Sequence, residues 1–172
     1  WLFSDSTSAS SMLLPLCWVT LNTPATALAT ADGSLRWKRG FRPPAVEEHH
    51  RSDGSPAAST PATDGRHVVS YFGSFGVVCH DTAGRELWRR PMPVAASGGK
   101  FGTGTSPVIS GDRVLLNRDV HEGSSLLCLD SATGRTRWET PRPESAGSFG
   151  TPVVWSATGN DEVVVAGTAQ LK

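Results

Sequence analysis

The chain has 172 residues, with 16 basic and 16 acidic side chains and a formal net charge of zero at pH 7. The absence of a basic block in this sequence excludes the long-range positive field that draws proteins to nucleic acid, so no nucleic-acid partner is expected. It contains no 18-residue apolar stretch, and a transmembrane segment is therefore not predicted. Three widely spaced cysteines, Cys17, Cys79 and Cys128, include no CxxC pair, which favours free buried thiols over a zinc site or a disulfide framework.

Residues 1–24 match nothing else in the chain and are interpreted as an atypical N-terminal segment. The apolar run from Ser11 to Leu21 has no basic residue before it, and Leu16 rather than a small residue precedes Cys17. These features do not indicate a convincing signal peptide. The chain also begins at Trp1 without Met, which favours a piece of a longer protein.

A Gly-x-x-x-Trp cassette occurs three times, and its tryptophans are separated by 51 and 50 residues. The three cassettes are formed by Gly33 and Trp37, by Gly84 and Trp88, and by Gly134 and Trp138. Three prolines that open apolar runs, Pro61, Pro107 and Pro152, keep a similar step of 46 and 45 residues. A period of this length indicates a repeat architecture.

Within one repeat the sequence predicts short strands. His67–Phe72, Gly76–His80 and Glu86–Arg89 are rich in β-branched or aromatic residues and are separated by Gly, Asp and Ser. Asp64-Gly65 and Gly111-Asp112 stand where two-residue hairpin turns need a positive φ. Each repeat is therefore predicted to be a four-stranded antiparallel meander followed by a connector.

Four-stranded units of this size bury both faces by stacking radially, so the predicted fold class is all-β, a partial β-propeller. Each cassette glycine would permit a tight turn, and each indole would wedge between neighbouring sheets while its N–H finds a carbonyl. This regular recurrence favours structural blade anchors over ligand-stacking aromatics. Cys79 and Cys128 would then lie about 10 Å apart, beyond disulfide reach.

The segments "DTAGRELW" (Asp81–Trp88) and "DSATGRTRW" (Asp130–Trp138) resemble the repeats of the PQQ-like β-propeller family, which includes quinoprotein alcohol dehydrogenases and BamB-like proteins. The resemblance covers residues 25–172. It implies the end of one blade at 25–39, whole blades at 55–91 and 102–141, and an incomplete blade at 148–172. This length does not close a ring of seven or eight blades, so a fragment is favoured over closure by copies of the chain. The last blade would leave an open edge.

The resemblance implies three alternative functions. A non-catalytic binding or scaffold module, like BamB, would lie in the periplasm or cell envelope and bind a protein partner through its loop faces. A quinoprotein dehydrogenase would oxidise alcohols or sugars with pyrroloquinoline quinone and Ca²⁺, but the sequence has neither adjacent cysteines nor a local Asp, Glu and Asn cluster. No cofactor is therefore predicted. A sensor propeller of a larger multidomain protein is the third alternative.

Two polar segments contain residues suited to site chemistry. In "VEEHHRSDG" (Val46–Gly54) the side chains of Glu47, Glu48, His49 and His50 could supply metal ligands, but a connector position favours a solvated loop. The segment "NRDVHEGSS" (Asn117–Ser125) carries Asp119, His121 and Glu122, and here a hairpin tip is favoured. No serine stands in a nucleophile elbow, so no catalytic residue is predicted.

Overall fold

The computed structural model describes residues 23–50, 52, 54–96, 98–145, 147–157 and 159–167. Residues 1–22, including Cys17 and nearly all of the atypical N-terminal segment, lie outside the described residues, as do the last five residues. The described part consists of β-strands and one short 3-10 helix at Gly98–Lys100. The predicted all-β class is confirmed.

The strands form four antiparallel sheets in which neighbours along the chain are also neighbours in the sheet. Sheet 1 contains β1 (Thr23–Leu28) and β2 (Leu35–Phe41); sheet 2 contains β3 (Ala62–Thr63), β4 (His67–Phe72), β5 (Gly76–Asp81) and β6 (Glu86–Pro91); sheet 3 contains β7 (Val108–Ser110), β8 (Arg113–Arg118), β9 (Ser125–Asp130) and β10 (Thr136–Pro141); sheet 4 contains β11 (Val153–Trp155) and β12 (Glu162–Val164). The predicted four-stranded meander is therefore present twice. None of the sheets closes on itself within the described residues.

The hairpin turns form where the sequence predicts them. Gly65 connects β3 to β4 with a φ of +86°, and Gly111 connects β7 to β8 with a φ of +58°. The Asp64 carboxylate accepts the backbone N–H groups of Arg66 and His67, which closes the first turn. Glycine and aspartate therefore supply the backbone geometry and the hydrogen bonds that a tight turn needs.

Sheet 2 is buried on both faces because it packs between two other sheets. Val77 and Cys79 face sheet 3, where they join a core with residues such as Leu116 and Leu129. Val78, between them on β5, faces sheet 1 and packs with Trp37 and other apolar side chains. Alternate residues of one strand therefore fill two different cores, as the period-2 geometry of a strand requires. Cys79 and Cys128 are buried and free, as predicted.

A ladder of hydrogen bonds connects the segments that lead into β3, β7 and β11. The N–H of Thr60 donates to the Ser106 hydroxyl at 2.9 Å, and the N–H of Ser106 donates to the Thr151 hydroxyl at 3.2 Å. Each of these residues immediately precedes one of the three repeated prolines. The repeated Ser/Thr-Pro step therefore links each sheet to the next at equivalent positions.

Candidate functional site

The two ends of the sheets present different surfaces. We define the connector face as the described residues of the segments between sheets (42–61, 92–107 and 142–152) together with the hairpins 73–75 and 119–124. These segments contact one another: the N–H of Ala95 donates to the Gly73 carbonyl, and the N–H of Arg142 donates to the Ser124 carbonyl. The cassette turns lie at the opposite ends of the strands. Each face therefore combines residues from several repeats.

The first two cassette tryptophans lie against the glycine of the next cassette. Trp37 donates its indole N–H to the Thr82 carbonyl at 3.0 Å, and Trp88 donates to the Ser131 carbonyl at 2.8 Å. These acceptors immediately follow β5 and β9, at the start of each turn. The two indoles are only 7% and 8% exposed. The cassette contacts therefore run from one sheet to the following sheet.

The glycines of the second and third cassettes do more than allow a turn. Gly84 and Gly134 have φ values of +79° and +69°. A Cβ at Gly84 would lie 2.5 Å from Cγ of Trp37, and a Cβ at Gly134 would overlap the Trp88 ring. Gly33, in the first cassette, has a φ of +72° but nothing within 4 Å of a built Cβ. Both a positive φ and a facing indole thus restrict the later two positions to glycine.

Trp138 differs from its two counterparts. Its side chain is 39% exposed, whereas Trp37 and Trp88 are buried. It borders a cavity of about 130 Å³ with side chains of sheets 3 and 4, including Val154 and Val163. Within the described residues, Trp138 therefore lies between two sheets but does not pack against a glycine as Trp37 and Trp88 do.

Glu47 is buried, with 2% of its surface exposed, so the prediction of a solvated loop is wrong at this residue. Thr103 of the next connector donates its N–H and its hydroxyl to the two carboxylate oxygens, each at 3.1 Å. Burial raises the pKa of Glu47 to about 7, and the hydrogen bonds from Thr103 oppose that rise. Gly73 makes the arrangement possible, because a Cβ there would overlap the carboxylate.

The other three candidate metal ligands of this segment have separate environments. Glu48 is exposed and lies 3.5 Å from the Lys100 ammonium. Nδ1 of His49 lies 3.1 Å from the carbonyl of Glu47, and Nδ1 of His50 lies 2.9 Å from the Ser52 hydroxyl. Among the described residues no group of three or more His, Cys, Asp or Glu side chains is arranged to hold a metal ion.

The segment after β8 forms the predicted hairpin to β9; within it His121 and Glu122 are exposed, but Asp119 is buried. Its carboxylate accepts a hydrogen bond from the Arg142 guanidinium at 3.0 Å and from the Ser148 hydroxyl at 2.5 Å. The side-chain amide of Asn117 donates to it at 3.0 Å. Asp119 therefore joins the β8–β9 hairpin to the following connector.

Glu47 and Asp119 form the same kind of contact in successive repeats. Thr103 and Ser148 both stand four residues before a repeated proline, and each donates its hydroxyl to a buried carboxylate. Asp119 and Gly73 are both the first residue after the second strand of their sheets. In sheet 3 the carboxylate is that of Asp119, in the hairpin itself. In sheet 2 it is that of Glu47, in the preceding connector, and it lies over Gly73 of the hairpin.

An open cleft of about 490 Å³ lies on the connector face beside Glu47. Its walls come from three successive connectors: Ser52, Gly54, Ser55, Ala58, Phe101, Thr103, Gly104 and Phe149. Phe101 and Phe149 are 47% and 51% exposed. Gly104 lets Phe149 lie close, because a Cβ there would be 2.9 Å from its ring. Since none of the described lining side chains is ionisable, the cleft favours an uncharged, partly apolar ligand.

Comparison with known proteins identifies the repeats. The family profile described as outer membrane protein assembly factor BamB, a PQQ repeat profile, matches residues 22–172. The chain belongs to the PQQ-like β-propeller family. The described sheets are accordingly part of a β-propeller, as predicted. A comparison with curated proteins gives no match.

Several solved structures are similar to the chain in fold. BamB from Moraxella catarrhalis aligns with a TM-score of 0.48 and 17% identity, over 76% of this chain and 33% of that one. A europium-containing methanol dehydrogenase aligns with a TM-score of 0.50 and 16% identity, over 69% of this chain and 21% of that one. The quinohemoprotein alcohol dehydrogenase from Comamonas testosteroni aligns with a TM-score of 0.50 and 17% identity, over 69% of this chain and 18% of that one. The propeller chain thus spans a third or less of these structures.

The described residues do not fit a pyrroloquinoline quinone and calcium site. Calcium takes six to eight oxygen ligands, commonly from several carboxylates. Glu47 contacts the cleft residue Thr103, and both of its oxygens already accept hydrogen bonds from that residue. The described residues bring no second and third carboxylate to it. No catalytic step is therefore derived through this cofactor.

Proposed function

We propose that the chain is part of a non-catalytic binding or scaffold module of the cell envelope, whose connector face receives a segment of a partner protein. The cleft between Phe101 and Phe149 is the observation that carries this proposal. Membership of a family described by an outer membrane assembly factor supports both the protein partner and a periplasmic or envelope location. No helix in the described part of the chain is long and apolar enough to cross a membrane.

The cleft has the chemistry of a protein-binding anchor site. Two half-exposed phenylalanines stand at its walls, and aromatic side chains are enriched among residues that dominate binding energies. The remaining walls are glycine, alanine and small hydroxyl residues. An apolar side chain of an extended partner segment would bury the two rings, while the hydroxyl groups would hydrogen-bond to its backbone.

Site-specific photo-crosslinking in cells tests this proposal. A benzophenone amino acid would replace Phe101 or Phe149 in the intact protein, with Leu87, 41% exposed on β6, as the matched control position. We expect the same partner protein to be crosslinked from positions 101 and 149 and not from 87. Absence of a crosslink at both cleft positions, or an identical product from all three, would contradict the proposal.

A quinoprotein dehydrogenase is the second candidate, and Glu47 is the observation that favours it. This buried carboxylate has a pKa of about 7, the proton affinity of a general base at neutral pH, and its hydrogen-bond donor Thr103 lines the cleft. Adding pyrroloquinoline quinone and Ca²⁺ to the intact protein tests this candidate. A cofactor absorbance together with alcohol- or sugar-dependent dye reduction would establish the dehydrogenase and overturn the scaffold proposal.

A further inference from the structure

A second groove, which we call the rim groove, lies between sheets 1 and 2 along the outer strands β2 and β6. Its volume is about 380 Å³. Its lining residues are Arg39, Gly40, Phe41, Arg42, Phe75, His80, Gly84, Arg85, Glu86 and Arg89. It shares no residue with the cleft on the connector face. The two cavities therefore have separate walls and can be tested separately.

His80 is the unusual residue of this groove. It is 1% exposed, and neither ring nitrogen has a hydrogen-bond partner among the described residues. Its ring packs beside those of Trp37 and Phe41, at centroid distances of 5.6 and 5.7 Å. Leu129 occupies the equivalent position of β9, so the repeat itself does not require a polar residue here. A buried imidazole without a partner is unfavourable for folding, which points to a binding role.

The walls of the groove carry an excess of positive charge in a chain whose net charge is zero. Four arginines line it, against one carboxylate, that of Glu86. Arg89 pairs with Glu86 and lies over the Phe75 ring, 5.5 Å from its centroid. Arg39 donates to the Gly84 carbonyl at 2.7 Å, which holds its guanidinium at the groove. Arg85 pairs with Asp81, which lies outside the lining. Among the described lining residues, one carboxylate therefore accompanies four guanidinium groups.

The protonation state of His80 decides which groups it can bind. Burial lowers its pKa, and the nearby charges act in both directions: Glu86 and Asp81 raise the pKa, while Arg39 and Arg89 lower it. A neutral imidazole offers one N–H donor and one nitrogen acceptor. Its N–H can donate to an anion, while the surrounding guanidinium groups supply the attraction for the charge.

We propose that the rim groove binds an organic carboxylate with a flat apolar body. The carboxylate accepts the His80 N–H within the field of the arginines. The apolar body lies against the rings of Phe41 and Phe75. This chemistry can come from a free aromatic carboxylate or from the C-terminal carboxylate of a partner polypeptide that ends in an aromatic residue.

Calorimetric titration of the 172-residue chain tests the proposal, with benzoate as the probe and benzamide as its uncharged counterpart. We expect benzoate to bind at least tenfold more tightly than benzamide, and the affinity to fall as salt is added. A short peptide ending in phenylalanine, with a free or an amidated C-terminus, distinguishes the two sources. Tighter binding of the free-carboxylate peptide than of benzoate indicates a polypeptide ligand, and the reverse indicates a small molecule.

Two variants and one control variant test whether benzoate binds in the rim groove. His80→Leu introduces the residue found at the equivalent position of β9, and we expect it to weaken benzoate binding at least tenfold. Arg89→Gln should weaken binding, whereas Arg113→Gln removes the same charge from an exposed site on β8 and should not. Equal binding of benzoate and benzamide, or unchanged binding by a folded His80→Leu variant, overturns the proposal. If His80→Leu does not fold, equal affinities of the two arginine variants overturn it. Crosslinking from the cleft residues Phe101 and Phe149 is independent of all these outcomes.

Discussion

Glu47 is charged at neutral pH only at the expense of stability, because its carboxylate is buried between two connectors. Its pKa is raised from an ordinary value of 4.5 to about 7 in the folded chain, with burial as the main cause. A group whose pKa is higher in the folded state contributes stability that is fully present below its unfolded pKa. That contribution is lost as the pH rises from about 4.5 through 7.

Replacing Glu47 with Gln should remove this dependence. The glutamine amide can accept the Thr103 N–H and donate to its hydroxyl, so the contacts are retained. Between pH 4 and pH 8, the free energy of unfolding of the wild type should fall by roughly 3 kcal/mol relative to Glu47→Gln, from a shift of 1.36 kcal/mol per pKa unit. Urea unfolding of both proteins at both pH values measures this change in the free energy of unfolding. Glu48→Gln, at an exposed position, is the control; a wild-type slope retained by Glu47→Gln would contradict the assignment.

His80 should have the opposite pH dependence. Its pKa is lowered in the folded chain, so its contribution to stability is present above about pH 6.5 and is lost as the pH falls below that value. Because leucine also removes two buried nitrogens without partners, His80→Leu should raise the free energy of unfolding by about 1–3 kcal/mol at pH 7.5, and by more at pH 5. The reciprocal change Leu129→His should destabilise the chain. A His80→Leu variant less stable than the wild type would show that the imidazole has a stabilising partner.

Individual residues show where sequence reasoning succeeds and where it does not. Trp37 and Trp88 could be recognised because they recur with the cassette. Glu47 could not, since an acidic pair beside two histidines is typical of a solvated loop, and its burial depends on Thr103, 56 residues away. His80 also stands in an otherwise apolar strand, where only the packing of sheet 1 shows that its ring is enclosed.

At the scale of the element, the cassette turn combines a backbone requirement with a packing requirement. The positive φ of its glycine follows from the sequence, because a tight turn before a strand favours it. The second requirement is space for an indole of the preceding cassette, and it can be recognised only in the three-dimensional structure. Likewise, strand positions follow from local patterns, whereas the carboxylate-hydroxyl pairs of the connectors depend on contacts between repeats.

Replacing two of the cassette glycines with alanine distinguishes the backbone requirement from the packing requirement. Gly33→Ala should cost about 1–2 kcal/mol, the ordinary penalty of a side chain at positive φ, because nothing lies within 4 Å. Gly134→Ala has nearly the same φ but overlaps Trp88, which adds about 1–3 kcal/mol of overpacking. Thermal or urea unfolding of both variants measures the difference between their losses in the free energy of unfolding. Equal losses would show that the indole does not restrict Gly134.

At the scale of the whole molecule, the chain is a series of sheets in which each contacts the next. Sheet 1 corresponds to the last two strands of a repeat, since its strands flank a cassette turn, and sheet 4 corresponds to the first two. Sequence periodicity was sufficient to predict this series of sheets, whereas the family was predicted from the resemblance of the segments Asp81–Trp88 and Asp130–Trp138 to PQQ-like repeats. The periodicity did not predict the cleft or the rim groove, because both are formed by side chains of different repeats that approach one another only in the fold.

The most direct test of this stacking is the stability of Trp88→Ala, between the two four-stranded sheets. Loss of a buried large aromatic and of its hydrogen bond to Ser131 should lower the free energy of unfolding by about 3–5 kcal/mol. Trp138→Ala in the same 172-residue chain is the matched control: this indole is 39% exposed, so its loss should be clearly smaller. A loss below about 1 kcal/mol for Trp88→Ala, or equal losses for the two variants, would contradict the role of the cassette as the contact between successive sheets.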